Sequence, residues 1–147
     1  MNAQRRRIIA ALAAAPCLAP LGAAAQRRPA FQELNPPQPV EAEGKIEVVE
    51  FFAYGCIHCY NLEPRLETWL KKLPADVQFR RVPAVFNPRA AHDASIFYAF
   101  EAMGILDKVH RPFFDAIHRQ RLRTDNWQEL SAWLTKQGVD PKKFEAT

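Results

Sequence analysis

Ile46-Glu47-Val48-Val49-Glu50-Phe51-Phe52-Ala53-Tyr54-Gly55-Cys56-Ile57-His58-Cys59 sets a near-continuous apolar run directly before two cysteines two residues apart. The run Ile46–Phe52 reads as a strand buried on both faces, because its apolar residues follow one another with little polar alternation. After the cysteines, Leu62, Leu66, Trp69, Leu70 and Leu73 recur at helical spacing and predict a helix from about Cys56 to Lys72. Pro64 lies inside it and should kink it, since proline removes a backbone donor and crowds the preceding turn. Pro74 and Asp76 close the helix. Val77, Phe79 and Arg81 before Pro83 then predict a second strand, Val77–Val82. A strand, a crossover helix and a strand form a βαβ unit, so the two strands should be parallel.

Two thiols at a strand-to-helix junction suit reversible disulfide exchange better than metal binding or cross-linking. The thiolate is the nucleophile, and Cys56 falls where the helix begins. Unpaired backbone N–H groups and the helix dipole there favour an anion. His58 can add a donor, or a positive charge when protonated. Each effect lowers the Cys56 pKa, which favours the reduced form and makes a Cys56–Cys59 disulfide a stronger oxidant. Cys59, one turn on and facing inward, is the expected resolving thiol. Glu50 is a carboxylate inside an apolar strand, a costly position unless it is paired or protonated. It could accept a proton from Cys59 through water, with Arg81 on the next strand as its charge partner; an ordinary strand-end salt bridge is the alternative.

On the N-terminal side, Arg5-Arg6-Arg7, an apolar stretch Ile8–Leu21 and Ala23-Ala24-Ala25 predict a cleaved export signal over Met1–Ala25, of either the general or the twin-arginine type. That segment holds three arginines, no acidic residue and Cys17. Its removal reduces the formal charge from +4 to +1 and leaves Cys56 and Cys59 as the only cysteines. No basic footprint for nucleic acid remains. Gln26–Gly44 is polar and proline-rich, with room for a short edge strand at Phe31–Leu34. An exported chain with one close cysteine pair has no structural disulfide framework, so the pair is either working or accidental.

From Ala90 onward the pattern is only helical. Ile96, Phe100 and Met103 line one helix, stopped by Gly104. Val109, Phe113, Phe114 and Ile117 line the next, with Pro112 inside. Trp127, Leu130 and Leu134 line a third, opened by Asn126 and Glu129 and ended by Gly138. Asp140-Pro141 announces another. Arg119, Arg121 and Arg123 read as a solvated helix end. Cys56, His58 and Cys59 could supply three soft metal ligands, but no second cysteine pair accompanies them, and His92, His110 and His118 lack ligand-like spacing. These three histidines read as surface or helix-packing residues.

Glu50-Phe51-Phe52-Ala53-Tyr54-Gly55-Cys56-Ile57-His58-Cys59-Tyr60, with Glu63 and Leu73-Pro74, resembles the active-site segment of the DsbA family of periplasmic thiol:disulfide oxidoreductases. The likeness runs over about residues 31–147. It implies an α/β, thioredoxin-like fold with an inserted helical domain, here about residues 90–147 of a domain spanning 26–147. It implies that Cys56 exchanges with substrate thiols, that Cys59 resolves, and that His58 stabilises the Cys56 thiolate. The family's buried acidic residue and basic neighbour fall on Glu50 and Arg81. Ile57 stands where the family usually has proline, which restores a backbone N–H and loosens the loop. The family's cis-proline loop and C-terminal strands are expected to be lacking from this sequence, which would leave an edge of the first strand open. The resemblance further implies a monomer without bound cofactor in the periplasm. It would donate disulfides to reduced, unfolded secreted proteins and be reoxidised by a quinone-linked membrane oxidase of DsbB type. A periplasmic reductase or isomerase using the same dithiol, or a non-catalytic fragment that binds metal or a partner, are the alternatives.

Overall fold

The computed structural model describes residues 31–42 and 44–147, so the expected export signal lies outside the described residues. Phe31–Gln38 belongs to a separate unit, and the short strand expected at Phe31–Leu34 is absent: these residues form no regular element. The other unit, from Pro39 to Thr147, carries the βαβ unit and the helices.

Strand β1 (Ile46–Phe52) pairs in parallel with β2 (Val77–Pro83), and helix α1 (Ile57–Leu70) crosses between them. The register sets Glu50 opposite Arg81 and Phe52 opposite Pro83. Ala84 N–H extends the pairing by donating to Phe52 O at 2.7 Å. The expectation that β1 is buried on both faces is corrected. Ile46 is 60% and Phe51 70% exposed, while Phe52 is fully buried. Among the described residues β1 has one strand neighbour, and its apolar composition cannot by itself report how many partners cover it.

Helices α2 (Pro88–Ala102), α3 (Leu106–Gln120), α4 (Trp127–Lys136) and α5 (Pro141–Glu145) follow. Three of them start as local chemistry dictates. Asn87, Asn126 and Asp140 cap α2, α4 and α5 by accepting from Ala90, Glu129 and Lys142 N–H, and proline occupies the first turn of α2 and α5. The expected box between Asn126 and Glu129 is only half formed, because Glu129 Oε2 accepts from Arg123 N–H instead. Gly104 and Gly138 adopt positive φ where α2 and α4 stop.

The core is aromatic. Phe97, Phe100, Phe113, Phe114, Trp133 and Phe144 from four helices pack with Phe52 and Tyr54 from the end of β1. Tyr54 stands edge-on to Phe52 (5.2 Å) and Phe113 (4.7 Å), the favourable contact of ring edge with ring face. Trp133, rather than Trp127, supplies the buried indole of α4; Trp127 stays on the surface. The helical layer is thus built directly onto the loop that precedes the cysteines.

Candidate active site

After Phe52 the chain turns through Ala53-Tyr54-Gly55, and Cys56 N–H closes the turn on Ala53 O at 3.0 Å. Cys56 keeps extended backbone and becomes the N-cap of α1, its Sγ accepting from Cys59 N–H at 3.2 Å. A sulfur thereby occupies the position that Ser, Asp or Asn fill at most helix starts. Cys59, on the first turn, packs with Tyr60 against the aromatic core. Both cysteines are free thiols and half-buried.

The two thiols are pushed in opposite directions. Burial opposes the Cys56 anion, but the hydrogen bond with the Cys59 thiol and the backbone N–H groups of Cys59 and His58 outweigh it. Cys56 therefore lies below the ordinary thiol value even against the charge of Glu50. For Cys59, burial, donation to Cys56 and the charges of Cys56 and Glu50 combine to raise the pKa to about 11. The His58 side chain is exposed, and what reaches Cys56 through a hydrogen bond is its backbone N–H. Ile57 is 48% exposed beside the nucleophile.

Behind the cysteines lies a buried charge cluster. Arg81 donates from Nε to Glu50 Oε2 at 3.1 Å, joining the two residues the sequence pairs. The same guanidinium donates from Nη2 to both oxygens of Glu63, at 3.2 and 3.4 Å. Glu63 is only 1% exposed, and His110 Nε2 stands 3.5 Å from its Oε1. His110 Nδ1 accepts from the Tyr54 hydroxyl at 2.9 Å, which leaves the Nε2 proton to face Glu63. Burial, then Arg81, hold the His110 pKa down despite Glu63, which favours the neutral imidazole. Burial and the nearby Glu63 raise the pKa of Glu50 above the usual carboxylate range. Burial also acts on Glu63, but His110 and Arg81 more than offset it and hold its pKa down. One cation is thus shared by two carboxylates, with Glu50 the harder of the two to ionise.

Glu63, His110 and Tyr54 are parts of this cluster that motif reading does not assign. A signal for Glu63 was present: it falls at helical spacing with Cys59, Leu66 and Leu70, on the inward face of α1. His110 gives none, because its partners are 47 and 56 residues away, as the numbering of Glu63 and Tyr54 shows. Beside Gly55 a cleft of about 210 Å³ is lined by Ala53, Phe86, Asn87, Arg89, Ala90 and Asp93. Among the described residues no three His, Cys, Asp or Glu side chains converge to hold a metal ion.

The thioredoxin family profile matches residues 31–101. The thiol:disulfide interchange protein DsbA of Burkholderia cepacia is 45% identical over 115 residues, covering 78% of this chain and 54% of that protein. That of Bordetella parapertussis is 40% identical over 137 residues, 93% of this chain and 65% of its own. The crystal structure of Pseudomonas aeruginosa DsbA superposes with a TM-score of 0.67 at 44% identity, covering 74% of this chain and 56% of the other. The oxidoreductase NmDsbA1 from N. meningitidis gives 0.62 at 34% identity, covering 75% and 58%. The chain thus spans about half the length of several relatives it matches. In its βαβ unit, its helical layer and its Cys-Ile-His-Cys junction, the chain is similar to the DsbA proteins of the thioredoxin-like fold.

Proposed function

We propose that the protein is a thiol:disulfide oxidoreductase that donates the Cys56–Cys59 disulfide to reduced, unfolded secreted proteins in the periplasm after export. The observation that carries this reading is the asymmetry of the dithiol: Cys56 caps α1 with a lowered pKa, while Cys59 is raised to about 11. A substrate thiolate attacks Cys56 Sγ, the disulfide breaks, and Cys59 leaves and takes up a proton. A second substrate thiolate then attacks the substrate sulfur of the mixed disulfide, and Cys56 departs as the stabilised thiolate. The substrate dithiol loses two electrons and the Cys56–Cys59 pair gains them. Cys56 is a good leaving group because its anion is held at the helix start.

Glu50 is the proton carrier for Cys59 in this scheme, working through water, with Arg81 setting how readily it ionises. The His58 imidazole adds to the field that favours the Cys56 anion. The helices from about residue 90 form the insertion of the thioredoxin-like domain. The cleft beside Gly55, with exposed Phe86 in its lining, offers apolar contact to an unfolded chain. Reoxidation runs the exchange in reverse against a quinone-linked membrane oxidase of DsbB type. The protein acts as a monomer, without bound cofactor.

The test is a redox titration of the chain against glutathione, followed by oxidation of a dithiol peptide. A potential well above that of cytosolic thioredoxin, with net peptide oxidation, is expected. A potential near thioredoxin's would overturn the oxidant reading and leave the reductase.

A further inference from the structure

Helix α3 reaches both flanks of the redox motif, and one of its residues does so alone. His118 Nε2 lies 2.7 Å from Tyr54 O, two residues before Cys56. A carbonyl only accepts, so Nε2 carries the proton and donates. The same imidazole stacks on Tyr60, the residue after Cys59, at 4.8 Å between centroids and 19° between planes. Tyr60 is further fixed where its hydroxyl donates to Asp115 Oδ1 at 2.7 Å and where the Arg111 guanidinium lies 4.9 Å from its ring centre. Tyr54 is held at its other end by His110, on the same stripe of α3 and two turns earlier. The segment from Tyr54 to Tyr60 is thereby gripped at each end by a helix that contributes no sulfur.

We propose that His118 is a positioning residue for thiol exchange: it fixes the backbone before Cys56 and the ring after Cys59, and so sets the angle at which Cys56 Sγ meets the first N–H groups of α1. The proposal rests on the reading of Cys56 as the reactive thiol. Its physical content is that N–H donors stabilise an anion only when aligned with it. The turn Ala53–Cys56 has one internal backbone bond, Cys56 N–H to Ala53 O, so the carbonyl of Tyr54 depends on His118 for its partner.

Two variants separate the hydrogen bond from packing. His118→Phe keeps an aromatic ring against Tyr60 and Phe114 and removes the donor; His118→Gln restores an N–H donor without the ring. Thiolate absorbance of the full chain is titrated for each, with the rate of Cys56 alkylation as a second reading. In His118→Phe the thiolate fraction of Cys56 at neutral pH is expected to fall by about threefold, with slower alkylation, the change expected when a charge-stabilising group loses alignment. His118→Gln should recover most of it. A His118→Phe chain that titrates and reacts like the parent overturns the proposal. Nitrogen-detected NMR on the unaltered chain supplies a test independent of folding and of redox chemistry. The Nε2–H tautomer with a protected proton is expected at His118, and a bare Nε2 overturns the proposal. An ordinary thiol titration in the parent, with the His118 bond present, would instead overturn the oxidant function and leave the clamp standing.

Discussion

Cys56 and Cys59 are the same chemical group three positions apart, yet their surroundings separate them by charge. One sulfur lies where amide protons converge, and the other lies against the aromatic core with Glu50 and its neighbour both opposing ionisation. The place of Cys56 at a helix start was legible in the sequence because strand, turn and helix periodicity met at that residue. The reach of the charge cluster was not, because Glu63 and His110 are brought to Arg81 by the crossing of α1 over the sheet and the docking of α3. Two predictions belong to single residues. His58→Ala retains the backbone N–H that reaches Cys56, so it isolates the imidazole. A smaller thiolate fraction of Cys56 is expected in absorbance titration, and an unchanged midpoint would assign the whole effect to the backbone. Glu50→Gln keeps the size of the side chain but cannot carry a proton. Steps in which Cys59 gains or loses its proton should slow by roughly a hundredfold, the lower end of what a lost proton carrier costs. Stopped-flow exchange rates that match the parent across pH would reduce Glu50 to a partner for Arg81.

Elements were read from the sequence more faithfully than their surroundings. The spans of β1 and α1 and the starts of α4 and α5 follow from periodicity and capping chemistry, which act over a few residues. The burial of β1 did not follow, because Phe51 and Phe52 are alike in hydrophobicity while only Phe52 enters the core. The end of α3 falls at the arginine run read as a solvated helix end, but it carries no glycine: Arg121 takes the left-handed conformation there, φ 60°, with its N–H on Ala116 O. A residue with a Cβ is strained at such a position, and glycine is relieved of that strain. Arg121→Gly is therefore expected to stabilise the fold by roughly 0.5 kcal/mol, the strain relieved less the added freedom of the unfolded chain. Urea denaturation checks it, and a loss of stability would show that the arginine side chain contributes more than its backbone costs.

At the scale of the whole molecule the buried cluster makes stability depend on pH. His110 binds its proton less tightly when folded, so the unfolded chain takes it up first and stability falls as pH drops below about 6.5. Glu63 has a depressed pKa, so the stability it contributes is present above its unfolded value and is lost as pH falls through its folded one. Glu50 has the opposite sign: its raised pKa favours the folded state when protonated, and that gain is lost as pH rises through the folded value. The net expectation is a first decline below neutrality set by His110 and a second in the carboxylate range set by Glu63, with Glu50 partly offsetting the fall between them. Urea midpoints measured across pH check this. His110→Gln should remove the first decline, and its persistence would place the titrating group elsewhere.

Cys56 is at once the cap of α1 and the atom that is traded. As an anion it neutralises the positive end of a fourteen-residue helix; tied to Cys59 it is uncharged and a feeble acceptor. The ring closed by that tie is so small that it restrains the denatured chain little. The bridged protein should therefore melt at a lower temperature than the dithiol, the reverse of what cross-links usually do, and calorimetry of the two forms would show it. In that sense the molecule works like a cocked spring, for giving its bond away lets the scaffold settle.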